Sequence, residues 1–346
     1  MSKVIKLSSR EPYVLCFLVF ALCLIFSVVS SEAKVTGSCS NCHTMHGSQT
    51  PAPPQWTGRG WTPGATHAAL LVATCVGCHS NTGAGTILSD NTPVVLNIGT
   101  PPTAPLAGGN FYYITSDDAV EHAKGHNVAG IDAKDVTLGL TPPGGSILGS
   151  QLTCSGSYGC HGHNGRQSED TPVADETQAV KGAHHGDDSV IDGSTVAKSY
   201  RFLLGITGKE DSNWELEPST AHNEYKGDTT FSTHNTISYL CGECHGNFHS
   251  DAGVGNASPW LRHPTDIFLP QTGEYATYNP TTTYNNLVPV AYTDFNNPSR
   301  ATAVIMCLSC HRAHASPFFK MMRWDYKSDN LSEALSGCNV CHTSKN

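Results

Sequence analysis

Apolar residues are unevenly spread along the 346-residue chain. One unbroken run, 13–30, follows Lys3, Lys6 and Arg10 and precedes the small-residue stretch Ser30-Ser31-Glu32-Ala33. Basic start, apolar middle and small-residue flank are the order of a secretory signal peptide, cut near Ala33. The rival reading is an uncleaved anchor, since about 18 apolar residues almost span a bilayer. The small-residue flank favours cleavage. The reading therefore divides the chain into a signal peptide, 1–33, and one mature unit, 34–346, which touches a membrane only through the removed segment.

Past residue 33 no long period emerges. The pattern predicts short helices at 68–78, 117–124, 301–311 and 332–338. Gly125 would stop the second and Ser332 would cap the last. Short strands are predicted at 94–98 and 200–204. The stretches 50–66, 92–108, 141–159 and 264–300 are rich in Pro, Gly, Thr and Asn. Loops of that length argue against an ordinary compact domain. Without the first 33 residues the apolar share falls to about a third, cysteines included, which is little for a protein core. The expected fold class is mostly irregular coil with short α-helices and few short strands.

Cysteine placement changes the picture. The chain has 14 cysteines, and Cys16 and Cys23 lie in the signal segment. The other twelve form six pairs, each ending in Cys-His. Five read Cys-x-x-Cys-His: Cys39/Cys42/His43, Cys75/Cys78/His79, Cys241/Cys244/His245, Cys307/Cys310/His311 and Cys338/Cys341/His342. This is the c-type haem attachment signature: two thiols add to the two vinyl groups of one porphyrin, and the next His becomes the proximal iron ligand. Random placement of these residues predicts about 0.03 such motifs, so five are not accidental. Zinc would not require a His straight after the pair, and a disulfide framework would not either. The sixth pair, Cys154/Cys160/His161, has five residues between its thiols. Its small, glycine-containing insert can bulge outward while the second Cys-His keeps its place. Six haem c groups would supply the missing apolar area, at tens of calories per Å² buried. Thioether and axial bonds would staple the unit, so that the chain wraps as one multihaem cytochrome c around a line of six haems.

Eighteen histidines leave twelve beyond the six proximal ones. His46 and His314 each follow a proximal His by three residues, and His249 follows one by four. A histidine so close cannot reach the opposite face of the same porphyrin, so if it binds iron it binds that of a neighbouring haem. His126 follows the 117–124 segment, His263 precedes Pro264, and His184-His185 follow Gly182. These seven are the distal candidates. His67, His122, His163, His222 and His234 carry weaker signals and read as structural or exposed. Met45, Met306, Met321 and Met322 read as packing against porphyrin faces rather than as ligands. Bis-histidine ligation implies low potentials and irons with no open site.

The ordered motifs Cys39-Ser-Asn-Cys-His-Thr-Met-His46, Lys124-Gly-His-Asn-Val-Ala-Gly130, Ser199-Tyr-Arg-Phe-Leu-Leu-Gly205, Leu261-Arg-His-Pro264 and Cys307-Leu-Ser-Cys-His-Arg-Ala-His-Ala-Ser316 carry a resemblance. The sequence resembles the OmcS-type hexahaem cytochrome nanowires of metal-reducing bacteria. The resemblance implies extracellular filaments built head to tail around a continuous line of bis-histidine haems. It implies that His46 crosses the subunit boundary to the haem on Cys307/Cys310 of the next copy, and that His126, His249, His263 and His314 are distal ligands. The third site departs from the family, which has the ordinary spacing and a His where this chain has Asn164. Its distal ligand is expected to be His184 or His185, with His163 as second choice.

The expected function is electron transport and not enzymatic catalysis. The protein is expected to be secreted, to lie at or beyond the outer cell surface, and to pair with copies of itself and with other redox proteins or external acceptors. A monomeric periplasmic or surface shuttle is the alternative. A multihaem reductase is another, and would need an open iron; the irregular third site is the place to look for one. A net charge of −9 gives no footprint for nucleic acid. Mass spectrometry of the mature product is expected to add six haems to the polypeptide; a colourless, unmodified chain from a maturation-competent host would refute the reading.

Overall fold

The computed structural model describes residues 35, 38–43, 70, 71, 73–115, 119–166, 170–215, 221–250 and 263–344. The signal segment, with its 13–30 run, lies outside them, as do His46, Met45 and His67. Among the described residues no helix is long and apolar enough to cross a membrane.

Regular elements are short, as the composition predicts. The helices are α1 Cys75–Cys78, α2 Ala119–His122, α3 Glu176–Ala179, α4 Ile237–Gly242, α5 Leu331–Ala334 and α6 Cys338–Cys341. The strands are β1 Ser80–Asn81, β2 Leu96–Asn97, β3 Gly208–Lys209, β4 Glu224–Lys226, β5 Ile267–Phe268, β6 Ala291–Tyr292 and β7 Ala303–Ile305. Strand β1 pairs parallel with β2. The other five form a sheet in the order β3-β4-β6-β7-β5, antiparallel except where β4 meets β6. Among the described residues six is the longest helix, too short to persist without packing.

Several predicted elements differ. The expected helix at 301–311 is a 3-10 turn at Arg300–Thr302, then β7, then a 3-10 turn at Cys307–Ser309. Ala303, Val304 and Ile305 are buried together, and a β-branched run buried on both faces suits a central strand. The expected strand at 200–204 is a turn, because Arg201 and Phe202 hold positive φ values of 49° and 61°. Of 68–78 only Cys75–Cys78 is helical; residues 68, 69 and 72 lie outside the described set. Segment 117–124 is helical at Ala119–His122, and 94–98 is strand only at Leu96–Asn97. The last predicted helix divides into α5 and α6. Asn330, not Ser332, caps α5, its side chain accepting from the Ser332 amide.

Three small apolar clusters replace a single core. One joins Tyr200, Ile206, Ile237, Leu240, Val304 and Met306, with Cys160 against it. A second joins Leu96, Phe111, Ile114, Ile131 and Ala315, with Cys154 against it. A third joins Leu269, Tyr278, Tyr292 and Ile305, with Cys341 against it. Each cluster therefore abuts an attachment cysteine, which ties packing to the sites.

Gly125 is not a helix stop but a close approach. Its backbone bridges Ala315, and a Cβ there would stand 2.5 Å from Ala315 Cβ and 2.8 Å from His314 O. Gly125→Ala is expected to destabilise the protein by about 1–3 kcal/mol through overpacking, read by denaturant unfolding; an unchanged midpoint would refute the contact.

Candidate functional site

Each attachment motif is one tight turn closed by its histidine. In the five regular sites the His amide donates to the first cysteine's carbonyl: His43 to Cys39 at 2.8 Å, His79 to Cys75 at 2.8 Å, His245 to Cys241 at 2.9 Å, His311 to Cys307 at 3.1 Å and His342 to Cys338 at 2.9 Å. The third site closes in the same way despite its longer insert, His161 N donating to Cys154 O at 3.1 Å. The insert does not bulge outward as expected: Ser155, Gly156 and Gly159 are buried. The chain turns at Gly156, whose φ is +78°. Gly159 N donates to Gly156 O at 2.8 Å and Ser157 N donates to Val173 O at 3.1 Å, so the extra residues pack against the 173–176 segment.

Five proximal histidines face a second imidazole. Ring centres are 6.0 Å apart for His43 and His185, 6.3 Å for His79 and His184, 6.4 Å for His161 and His314, 6.1 Å for His245 and His126, and 6.2 Å for His342 and His263. A metal–imidazole bond of about 2.0–2.1 Å puts each ring centre about 3.2 Å from the ion, so trans rings on one metal stand about 6.3 Å apart. The spacing fits an iron between each pair. Interplanar angles run from 27° to 85°. Rings that held one metal between them would tolerate that spread, because turning a ring about its metal–nitrogen bond leaves the centre-to-centre distance unchanged.

Backbone carbonyls orient the rings. Nδ1 lies 2.9 Å from Pro93 O in His79, 2.9 Å from Arg201 O in His161, 2.7 Å from Pro143 O in His245 and 2.8 Å from Lys320 O in His311. The facing rings repeat this, His126 with Ala313 O at 2.7 Å and His263 with Pro264 O at 2.9 Å. A carbonyl can only accept, so Nδ1 carries the proton and Nε2 keeps its lone pair for a metal. Glu274 Oε1 stands 3.1 Å from His342 Nδ1. Burial lowers the basicity of His79, His161, His245, His263 and His311. It brings His126 down to about 4 and His314 to about 3. Neutral imidazole is the form a metal needs.

The turn at Tyr200–Phe202 now has a reason. Its positive φ values aim Arg201 O at His161 and bring Phe202 to 5.1 Å from His184. Arg323, buried, donates to Leu308 O and His311 O and so braces the fifth motif. His122 accepts the Val136 amide at Nδ1, and its Nε2 faces Asp132 Oδ2 at 3.3 Å. That pair fastens the ends of the loop bearing His126.

Expected ligands divide as follows. His126, His184, His185, His263 and His314 each face a proximal ring. The third site faces His314, not His184, His185 or His163, and the consecutive pair His184-His185 faces the second and first sites. His163 Nδ1 instead lies 2.6 Å from Asp170 Oδ1. His249 belongs to none of the five pairs; Phe231 and Tyr239 pack edge-on to it, and its Nε2 lies 3.4 Å from Asp266 Oδ2. His311 faces no second histidine ring among the described residues. His222 stacks on Tyr284 and His234 on Tyr239. Met306 is buried in the first cluster. The orienting carbonyls left no trace in the sequence, since any residue offers one.

Sulfurs of successive motifs adjoin in chain order. Cys75 Sγ and Cys154 Sγ lie within 4.8 Å of one another, and Cys42 acts electrostatically on Cys78, Cys244 on Cys160, Cys307 on Cys241 and Cys341 on Cys310. Second cysteines meet second cysteines, then first meet first, alternately along the chain. The order of the sites in space thus follows their order in sequence.

No family model matches the chain. Among curated proteins it is similar to the C-type cytochrome OmcS of Geobacter sulfurreducens, 27% identical over an alignment of 393 residues that covers 95% of this chain and 89% of the relative. Two solved structures, an outer membrane cytochrome S filament and the OmcS nanowires imaged by cryo-EM, both from Geobacter sulfurreducens, align at a TM-score of 0.48 and 21% identity, over 90% of this chain and 100% of theirs. The resemblance carried by the motifs thus extends over nearly the whole chain.

The pairing of His126 with His245 is testable alone. If the motifs carry haem, His126→Ala is expected to leave haem attached and to convert one haem from low to high spin, read by electron paramagnetic resonance; an unchanged spectrum would refute the pairing.

Proposed function

We propose that this chain is an OmcS-type c-type cytochrome, which holds six covalently attached haems and passes electrons along them as a secreted, head-to-tail filament outside the cell. The observation that carries the reading is the set of five imidazole pairs, each about 6 Å across and each anchored on an attachment motif. Haem c supplies a one-electron iron couple when bound.

The chain's own part is placement. Twelve cysteines, from Cys39 to Cys341, fasten the six groups. Carbonyls beside Nδ1 of His79, His126, His161, His245, His263 and His311 fix the tautomer of those rings, whose Nε2 would be free to hold an iron. At the five paired sites two histidines would hold each iron and leave no place for substrate, which favours electron transfer over reduction of a bound oxyanion. The third site, where an open iron was most to be sought, has His314 across from His161 at 6.4 Å. Adjoining sulfurs in chain order support a continuous relay.

His311 supports the polymer. It is the proximal histidine that meets no second ring among the described residues, and it belongs to the motif to which the resemblance assigns His46 of the next copy. The boundary haem would then complete its ligands only on assembly. The same feature favours one rival, a reductase with an open iron at His311; low-spin spectra from all six haems of assembled protein would exclude that rival.

His46→Ala is expected to yield six attached haems per chain and no filaments in electron micrographs. Filaments of normal length from that variant would overturn the boundary-ligand reading.

A further inference from the structure

Cys75, Cys154 and Glu176 form a cluster in which each offers one atom, a sulfur or a carboxylate oxygen, and these atoms all lie within 4.8 Å of one another. Taken alone the trio resembles a metal site. It does not survive haem attachment: a thioether is a neutral and poor ligand, and both sulfurs are committed to porphyrins. What remains is one carboxylate beside two porphyrin edges.

We propose that Glu176 is a potential-setting residue that lowers the midpoints of two consecutive haems together, those fastened through Cys75 and Cys154. The inference rests on the reading of both cysteines as attachment points.

Glu176 is fixed in place. It opens α3, whose cap Asp175 accepts from the amides of Thr177 and Gln178. Its Oε2 accepts from Cys154 N at 3.0 Å, and its backbone carbonyl accepts from the Ser155 hydroxyl at 2.6 Å. Burial pushes its carboxyl up, while bonds from Cys154 and Ser155 work against that rise.

The long insert and the acid are one device. Residues 155–159 lie against the strand of chain that leads into α3: Ser157 N donates to Val173 O at 3.1 Å, and a Cβ on Gly156 would stand 2.5 Å from that same oxygen. The insert thereby seats the 173–176 segment beside the first cysteine. At the fifth motif the amide of the corresponding Cys307 donates instead to the neutral hydroxyl of Ser238.

A negative charge near a porphyrin edge stabilises the ferric state, which carries the greater positive charge, and so lowers the potential. Because one carboxylate serves both edges, both midpoints move the same way. The step between these two haems is left unchanged by the charge, while both move down relative to the other four.

The test is spectroelectrochemical titration of the assembled wild-type protein, E176Q and E176D at pH 8. Glutamine keeps an oxygen to accept from Cys154 N and removes only the charge. The expected E176Q curve has two of six haems shifted to higher potential and four unmoved, with E176D lying between E176Q and wild type. Six attached haems with unmoved midpoints, a shift spread evenly over all six, or a shift that aspartate does not reverse at all would overturn the role of Glu176. Loss of a haem in E176Q alone would also overturn it, by making the residue a folding element. Fewer than six haems in the wild type would sink the underlying haem reading instead, and mass spectrometry shows that independently.

Discussion

A fixed gap between two imidazole rings governs this structure. Five pairs of rings stand about 6 Å apart, too far to touch and too close to admit an ordinary side chain between them. Apolar collapse would close such gaps. The chain resists by anchoring at least one ring in four of the five pairs from behind. Carbonyls of Pro93, Pro143, Arg201, Ala313 and Pro264 face the Nδ1 atoms of His79, His245, His161, His126 and His263, and the Cys-His turns hold the backbone. Gaps kept open in this way fit a flat group that brings its own apolar surface, and under the proposed reading that group replaces most of the core.

The shortness of the secondary structure follows. The rings of a pair come from distant segments: His126 faces His245, and His161 faces His314. Each segment must arrive at the right place, present one ring and one carbonyl, and leave. A long helix would carry its side chains on a regular screw that matches none of these demands. Turns with unusual dihedrals do match them, as at Arg201, where a positive φ places a carbonyl that an extended strand would aim elsewhere.

The six Cys-His turns were legible in the sequence because they are local: two thiols and a histidine within one short segment. So was the scarcity of regular structure, from the low apolar share and the long Pro- and Gly-rich stretches. Which ring faces which was not, because that depends on contacts between distant segments. His184 and His185 stood out as a pair, yet nothing in their neighbourhood says that they face His79 and His43 and not His161. His249 had the same spacing argument as His314, but the chain after His245 turns it towards Phe231 and Tyr239. The 301–311 segment fits a helical pattern, and only its partners β5 and β6 make it a strand. Glu176 gave no signal at all, for its significance lies in the two sulfurs folded against it.

His184 and His185 also bear on how such a chain can change. Adjacent in sequence, they face rings of two different motifs, so a single peptide link separates two centres. One added residue there would rotate both rings out of line at once. The Cys154–Cys160 turn, by contrast, accommodates its longer insert with its closing hydrogen bond intact at 3.1 Å. Room for evolutionary drift in length therefore belongs to the turns whose closing bond survives insertion and to the long connecting stretches, while segments shared by two centres are frozen in register even where their residues are not themselves buried.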